Sequence, residues 1–297
     1  MDLKALRYFV EVVRQKNFTR AAELLHVTQP TLSKMIRQLE EEIRSDLLVR
    51  SSRGVWPTDV GEILYRNGCQ ILEHVRSTLD EVAEVKGLTR GELTLGLTPM
   101  LSAGLFPEVL RTFRQRYPQI ALTAIEFGSK RMGQAILSGE VEIGMMVEPV
   151  DSALFETRRI FSGEIGVVVP LGSRWAERAS VRIAELADQN FLMPTDDFMM
   201  PHMIRDYCRQ AGFTPKEVGH SGQWEILQAM VENGMGLATL PMTVWHLLDR
   251  DKVVPVRLGD PPLTVGVCLA WRRGGYPSFA ARAWTEVSAE VLARRQT

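Results

Sequence analysis

The sequence is poor in the residues that most often betray a chemistry. It has three cysteines, Cys69, Cys208 and Cys268, odd in number, far apart, and in no metal-ligand or Cys-x-x-Cys spacing. Such a set reads as thiols of a reducing cytosol, not as a disulfide framework. The five histidines, His26, His74, His202, His220 and His246, share no ligand spacing either, so no metal is expected. Gly-x-Ser-x-Gly, His-Glu-x-x-His and phosphate-cradling glycine motifs are absent, which leaves catalysis without a nucleophile or base to name and no cofactor to expect. No run approaches the ~18 apolar residues of a membrane span. The first apolar stretch is broken by Lys4, Arg7, Glu11 and Arg14, so neither a secretory signal nor a membrane partner is expected, and the chain reads as cytoplasmic. Charge of one sign is lacking too. Lys plus Arg total 35 against 36 Asp plus Glu, a net charge of −1. That balance excludes a protein that coats nucleic acid over its whole surface, while leaving room for one local basic face.

What is present is an ordinary globular composition, 45% apolar over 297 residues. That length is enough for two or three domains. Leu3, Leu6, Phe9, Val10 and Val13 recur with helical period, giving a first amphipathic helix over residues 3 to about 14. Asn17 caps a second helix through Leu25, in which Ala21 and Ala22 are small enough to let another helix cross closely. Thr28 caps a third, with Pro30 tolerated in its first turn. On this third helix Leu32, Met35, Ile36, Leu39 and Ile43 share one face. Pro30, Lys34 and Arg37 share the opposite face, with Gln29, Thr31 and Ser33 at its edges.

Helix, short turn, helix with a polar, cationic outer face is the helix-turn-helix arrangement, whose second helix enters the major groove N-terminus first. Gln29 suits a base edge, Thr31 and Ser33 suit bases or phosphates, and Pro30 suits a thymine methyl. Lys34 and Arg37 suit phosphates or guanine. Two short apolar runs, Leu47-Leu48-Val49-Arg50 and Val55-Trp56, flank the turn Ser51-Ser52-Arg53-Gly54 and read as a hairpin wing. Arg50 and Arg53 at its tip reach backbone or minor groove.

The stretch Asn17-Phe18-Thr19-Arg20-Ala21-Ala22, then Leu25, Thr28-Gln29-Pro30-Thr31-Leu32-Ser33, Leu39-Glu40, Arg50, and Thr58 with Gly61 resembles the N-terminal signature of the LysR-type transcriptional regulators. There are departures. Asn17 stands where the family usually has serine, Arg44 where it has glycine, and Leu48 where it has phenylalanine. Pro57 replaces a usual apolar residue. None touches the expected base-reading positions, and Arg44 and Leu48 are expected to alter the turn into the wing.

Thr58 caps a long helix from residue 59 to about 86. Leu64, Ile71, Val75, Val82 and Val85 follow a heptad-like seam with Gly68 and Thr78 in register, broadened by Leu72 and Leu79. A helix joining two compact regions has little of its own chain to bury against, so pairing with a second copy is expected. The resemblance implies the same dimerisation. Gly87 to Gly91 ends the helix as a hinge.

From residue 92 onward, strand, helix, strand, helix, strand is the signature of an open, mainly parallel sheet, and the pattern repeats. Expected strands are 93–97, 120–127, 141–147, 165–169, 191–193, 236–240 and 265–271. Helices are expected around 105–113, 129–138, 201–211 and 224–232, one opened by Pro241, and one at 279–293. Two α/β lobes follow, with crossovers near 161–163 and 263–266, the second lobe inserted into the first. Ligands of such folds sit at the carboxyl ends of strands, between lobes. The resemblance implies an effector domain similar to periplasmic solute-binding proteins, with an inducer between lobes. Carried over by position, its site residues are Thr98, Met100, Ser102, Ser129, Val147, Glu148, Thr195, Phe198 and His202. Many relatives place a hydroxyl where Met100 stands. Met193, Met199, Met200 and Phe198 are read first as core, and secondarily as an adaptable apolar wall.

The expected fold is therefore α/β with a helix-rich winged helix-turn-helix domain at 1–58, a linker helix at 59–87, and a two-lobed effector domain at 88–297. Lobe I comprises 92–161 and 267–297, and lobe II 162–266. The expected function is sequence-specific transcription regulation under a small-molecule effector. The expected partners are promoter DNA carrying an interrupted palindrome, a small organic acid with amino-acid-like ligands left open, and further copies of the chain as homodimer or homotetramer. An enzyme or a transport-type binding protein would need a catalytic cluster or an export signal, and neither is found. Peroxide-responsive relatives pair two cysteines in the second lobe, where this sequence has only Cys208.

Overall fold

The computed structural model describes residues 1–51, 54–85, 91–259 and 261–294. Its internal contacts divide it into two compact units, Met1–Lys86 with Leu137–Glu140, and Gly87–Ile136 with Val141–Thr297. Apart from Gly91, the expected hinge lies outside the described residues, as does Arg53.

In the N-terminal unit, α1 (Leu3–Gln15) starts at Asp2, whose carboxylate accepts the Ala5 N–H at 2.6 Å, and buries Leu6, Phe9, Val10 and Val13. Asn17 opens α2 (Phe18–Leu24) by accepting the N–H groups of Thr19 and Arg20 at 2.8 and 3.1 Å. Each cap satisfies donors that helix geometry leaves orphaned. Thr28 opens α3 (Gln29–Ile43), which turns Leu32, Ile36 and Leu39 into the core. The helix ends at Arg44, with φ of 58°. The turn that glycine makes freely is thus made by arginine at a steric cost of about 1–3 kcal/mol. Glu40 of α3 accepts the N–H groups of Leu47 and Leu48 at 2.9 and 3.3 Å. That bond fixes the entry into β1 (Leu48–Ser51), which pairs antiparallel with β2 (Gly54–Pro57).

Thr58 accepts the Gly61 N–H at 3.0 Å and donates to the Asp46 carbonyl at 2.8 Å, opening α4 (Asp59–Val85). The seam expected along this helix is divided. Leu64 and Leu72 pack on the unit's own core, and a Cβ at Gly68 would lie 2.8 Å from Leu6 Cδ1. Leu64, expected on the dimer seam, is half-buried and packs within its own chain, because the first turns of α4 lie against α1. Ile71, Val75 and Val82 remain exposed, together with Val60, Ile63 and Leu79. The Val85 side chain is outside those described.

In the C-terminal unit, β3 (Gly91–Leu97), α5 (Pro99–Arg116), β4 (Ile120–Glu126), α6 (Ser129–Leu137) and β5 (Ile143–Val147) form two crossovers. β3 lies parallel between β4 and β5. β6 (Phe155–Pro170) spans sixteen residues where only 165–169 were expected. It continues into a second group of strands, β7 (Ser180–Val181), β8 (Asn190–Met193), β9 (Lys216–His220), β10 (Leu237–Pro241) and β11 (Val253–Leu258). The return strand β12 (Thr264–Arg272) pairs antiparallel with both β6 and β5. The strand order β4-β3-β5-β12-β6-β10-β8-β9 makes β6 and β12 the joint between the two halves. α7 (Met200–Gln210) and α8 (Trp224–Glu232) flank the second half, and Pro241 opens a 3₁₀ turn at Met242–Leu247 in place of the expected helix. α9 (Phe279–Ala293) returns to the first half, where Trp284 meets Phe106 and Phe113 edge-on at 5.4 and 5.2 Å.

Candidate functional site

Two places gather the residues that the sequence singles out. At the start of α3, Gln29, Pro30, Thr31, Lys34 and Arg37 are exposed and Ser33 is half-buried. Helix period does this directly. The face carrying Leu32, Ile36 and Leu39 is consumed by the core, which turns the remaining positions outward. Thr31 Oγ1 lies 2.8 Å from Thr28 Oγ1, so the cap and a candidate base-reading hydroxyl are linked. Arg37 reaches Glu41 one turn on, at 3.4 Å, in a fully exposed pair that contributes little to stability.

Arg50 requires a correction. It is not at a hairpin tip but within β1, opposite Val55. Its guanidinium lies 4.4 Å over the Phe18 ring and donates to Ser33 Oγ at 3.3 Å. Ring and hydroxyl thus hold one cation beside the recognition helix. Sequence reasoning passed over Lys16 and read Trp56 only as part of the wing. The Lys16 ammonium sits 4.3 Å over the exposed Trp56 ring. Lys16 falls between two helices, where periodicity carries no signal.

In the C-terminal unit a small cavity of about 30 Å³ is walled by Thr98, Met100, Ser129, Val147 and Phe198, all expected, and by Leu101, Met199, Met200, Pro241 and Val265. Met199 and Met200 are thereby wall as well as packing, whereas Met193 is core. Among the described residues no charged side chain lines it. Thr98 Oγ1 donates to the Met145 carbonyl at 3.3 Å, and Ser129 Oγ accepts the Met199 N–H at 3.3 Å. That second bond ties the start of α6 to the start of α7, across the two halves. Beside it, a Cβ on Gly128 would come within 2.6 Å of Asp197 Cβ, so the halves touch here with no room for a side chain.

The other expected site residues lie outside this wall. Ser102 Oγ donates to Pro99 O in its own helical turn at 3.0 Å, and His202 Nε2 is 3.3 Å from the Asp196 carbonyl. The Thr195 carbonyl closes a turn onto the Phe198 N–H at 3.1 Å. Glu148 directly follows Val147, the last residue of β5, and falls on the opposite face, paired with Arg159. Asp196 is held by Arg205 at 2.6 Å, which keeps its carboxyl below the usual carboxylate range. The same guanidinium grips both oxygens of Glu217 at 2.7 Å. Cys208 and Cys268 are buried, and desolvation pushes both thiols up to about 12.

A capped helix-turn-helix with a wing, and an α/β domain enclosing a small cavity between two halves, together define a DNA-binding regulator with a ligand-responsive domain. The chain belongs to the LysR family. Residues 3–62 match the bacterial regulatory helix-turn-helix protein model of the lysR family, and residues 86–293 match the LysR substrate binding domain. The chain is 35% identical over 295 residues to the uncharacterized HTH-type transcriptional regulator YwbI of Bacillus subtilis (strain 168), covering 98% of this chain and 97% of that one. It is 29% identical over 276 residues to the Hca operon transcriptional activator HcaR of Escherichia coli (strain K12), covering 92% and 93%. The fold matches a full-length OxyR variant from Pseudomonas aeruginosa with a TM-score of 0.82 at 26% identity, over 98% of this chain and 94% of that one. The protein is a DNA-binding transcription regulator with an effector-binding domain, not an enzyme. Among the described residues, no helix is long and apolar enough to cross a membrane.

Proposed function

We propose that two or four copies of this chain pair through the exposed Ile71, Val75 and Val82 stripe of α4 and present their α3 helices to the half-sites of an interrupted palindrome in promoter DNA. The observation that carries this reading is the outward set Gln29, Thr31, Lys34 and Arg37 at the start of a capped helix. Gln29 and Thr31 read base edges. Lys34, Arg37 and Arg50 contact phosphates, with Ser33 orienting Arg50. Half-sites lie about one DNA turn apart or a multiple of it.

The effector in this reading is a small organic acid with an apolar body, held in the Thr98–Ser129–Phe198 cavity. The wall is apolar, and of the three carboxylates nearby that would repel an anion, Glu148 is engaged by Arg159 and Asp196 by Arg205. That leaves Asp197 as the one that weighs against an anion and for an amino-acid-like ligand. Ser129 Oγ accepts a hydrogen bond and so keeps its own proton for a carboxylate. The first turn of α5 has no side-chain cap, which leaves its N–H groups for an anion. A cavity of about 30 Å³ is too small for such a molecule, so in this reading entry separates the two halves and breaks the Met199–Ser129 bond. A peroxide-sensing reading is disfavoured, because a buried thiol with its pKa near 12 supplies almost no thiolate.

A thermal-shift screen of small carboxylates against the full chain tests the effector assignment. A stabilising carboxylate should lose about two- to tenfold in affinity in Ser129→Ala, the range of one hydrogen bond. Tight binding that ignores both Ser129→Ala and Thr98→Val would place the site elsewhere.

A further inference from the structure

On the far side of the hinge strands from the cavity lies a second concavity of about 500 Å³, within the range of small-molecule sites. Strand alternation creates it. Val147 and Val265 line the cavity, while their neighbours Glu148, Thr264 and Gly266 line this groove. β6 completes it with Thr157, Arg159 and Ser162. A Cβ at Gly266 would collide with the Glu148 carboxylate, so the bare glycine is what lets that carboxylate lie in the floor.

Glu148 and Arg159 pair directly, and the Arg159 side chain is 65% exposed. Among the described residues, the hydroxyls of Thr157, Ser162 and Thr264 have no partner. The groove thus offers one guanidinium and one carboxylate in contact with each other, ringed by free hydroxyls and closed to neither.

We propose that this groove is a second ligand site, and that it takes the head group of a free α-amino acid. The class follows from the charges. A simple carboxylate would meet Arg159 but be repelled by Glu148, and a simple amine would meet the reverse. A zwitterion satisfies both, its carboxylate forked on Arg159 and its ammonium on Glu148. The two charges of an α-amino acid sit on one carbon, matching the close spacing of this pair. Arg159 is the exposed partner of this pair, so its guanidinium can turn from Glu148 to a ligand carboxylate at small cost. β6 and β12 run from one half of the domain into the other. A ligand lodged on them touches the joint that must flex when the cavity on the opposite face opens. The two sites are separate, and this one does not rest on the identity of the cavity's ligand.

Isothermal titration of the full chain with each of the twenty common amino acids tests the proposal. At least one should bind. Its affinity should fall about tenfold or more in both Arg159→Gln and Glu148→Gln, the size of a lost charged hydrogen bond. Its des-amino and decarboxylated analogues should bind similarly weakly, while Ser129→Ala leaves the affinity within about twofold. Both groove residues are on the surface side of the sheet, and circular dichroism of each variant checks that the fold is kept. Three results would overturn the proposal: no amino acid binds, binding survives either groove substitution, or Ser129→Ala weakens it as much as the groove variants do. The last would place the zwitterion in the cavity.

Discussion

At the start of α3, Gln29, Thr31 and Lys34 are exposed to solvent, whereas in the C-terminal unit Thr98 and Ser129 engage backbone groups and the space around them is only about 30 Å³. The two sites differ because their partners differ. DNA brings its own dense row of phosphates and base edges, so a surface that merely presents donors at helical spacing is ready to bind. A small molecule must be enclosed to be held. In the structure the Thr98 and Ser129 hydroxyls are each held by a backbone group instead, which avoids the cost of about 1–3 kcal/mol for a buried polar group without a partner. On the proposed reading, ligand entry exchanges these internal bonds for ligand bonds, and that exchange would couple occupancy to the angle between the halves.

The contrast can be broken most forcefully at the linker helix. Ile71→Asp combined with Val75→Asp should convert oligomers to monomers by light scattering and cost about 10²–10⁴-fold in operator affinity, through loss of the second recognition helix. Ligand binding in the C-terminal unit should be unaffected. A full-size oligomer in the double variant would place the interface elsewhere.

Two glycines sharpen the comparison next. A Cβ at Gly61 would overlap the Leu47 carbonyl oxygen in the N-terminal unit, and one at Gly104 would overlap the Thr243 carbonyl oxygen in the C-terminal unit. Each alanine variant should lose about 1–3 kcal/mol by overpacking. In calorimetry Gly61→Ala should lower the transition of its own unit and Gly104→Ala that of the other. Equal loss in both transitions from either variant would mean that the units do not unfold independently.

The smallest effect expected is at the α7–β9 ion pair. Arg205 holds the Glu217 carboxyl below its usual 4.5. A depressed native value contributes stability above the unfolded value and loses it as pH falls through the native one. Glu217→Gln should therefore be less stable than the native chain at neutral pH. The gap should close as pH falls below 4.5 and through the lowered native value, as read from thermal midpoints across pH. A gap independent of pH would show that packing, not charge, sets the difference.

The parts legible in the sequence were those where one periodicity acts alone. The caps Asn17 and Thr28, the buried face of α3 and the helix at Phe279–Ala293 each follow from local chemistry. β6 was underestimated because Thr157, Arg158, Arg159 and Ser162 make its first half polar, which reads as loop until a partner strand is known. β11 was missed because Pro255 interrupts its apolar run, and β9 because Lys216, Glu217 and His220 leave almost no apolar pattern. In the cavity, Thr98, Met100, Ser129, Val147 and Phe198 were recovered from family position. Glu148 lines the groove on the other face from Val147, because strand alternation reverses the face within a single residue. Pro241 and Val265 could not be found locally, since they reach the wall only through the return of β10 and β12 to the joint.

The account rests above all on α3 reading base edges through its first turn. A binding titration of the native chain and Gln29→Ala against DNA upstream of its own gene, with each base pair of the half-site varied in turn, measures this directly. The expected result is a loss of about 1–3 kcal/mol together with relaxed preference at one base position. Unchanged affinity and unchanged selectivity would contradict it.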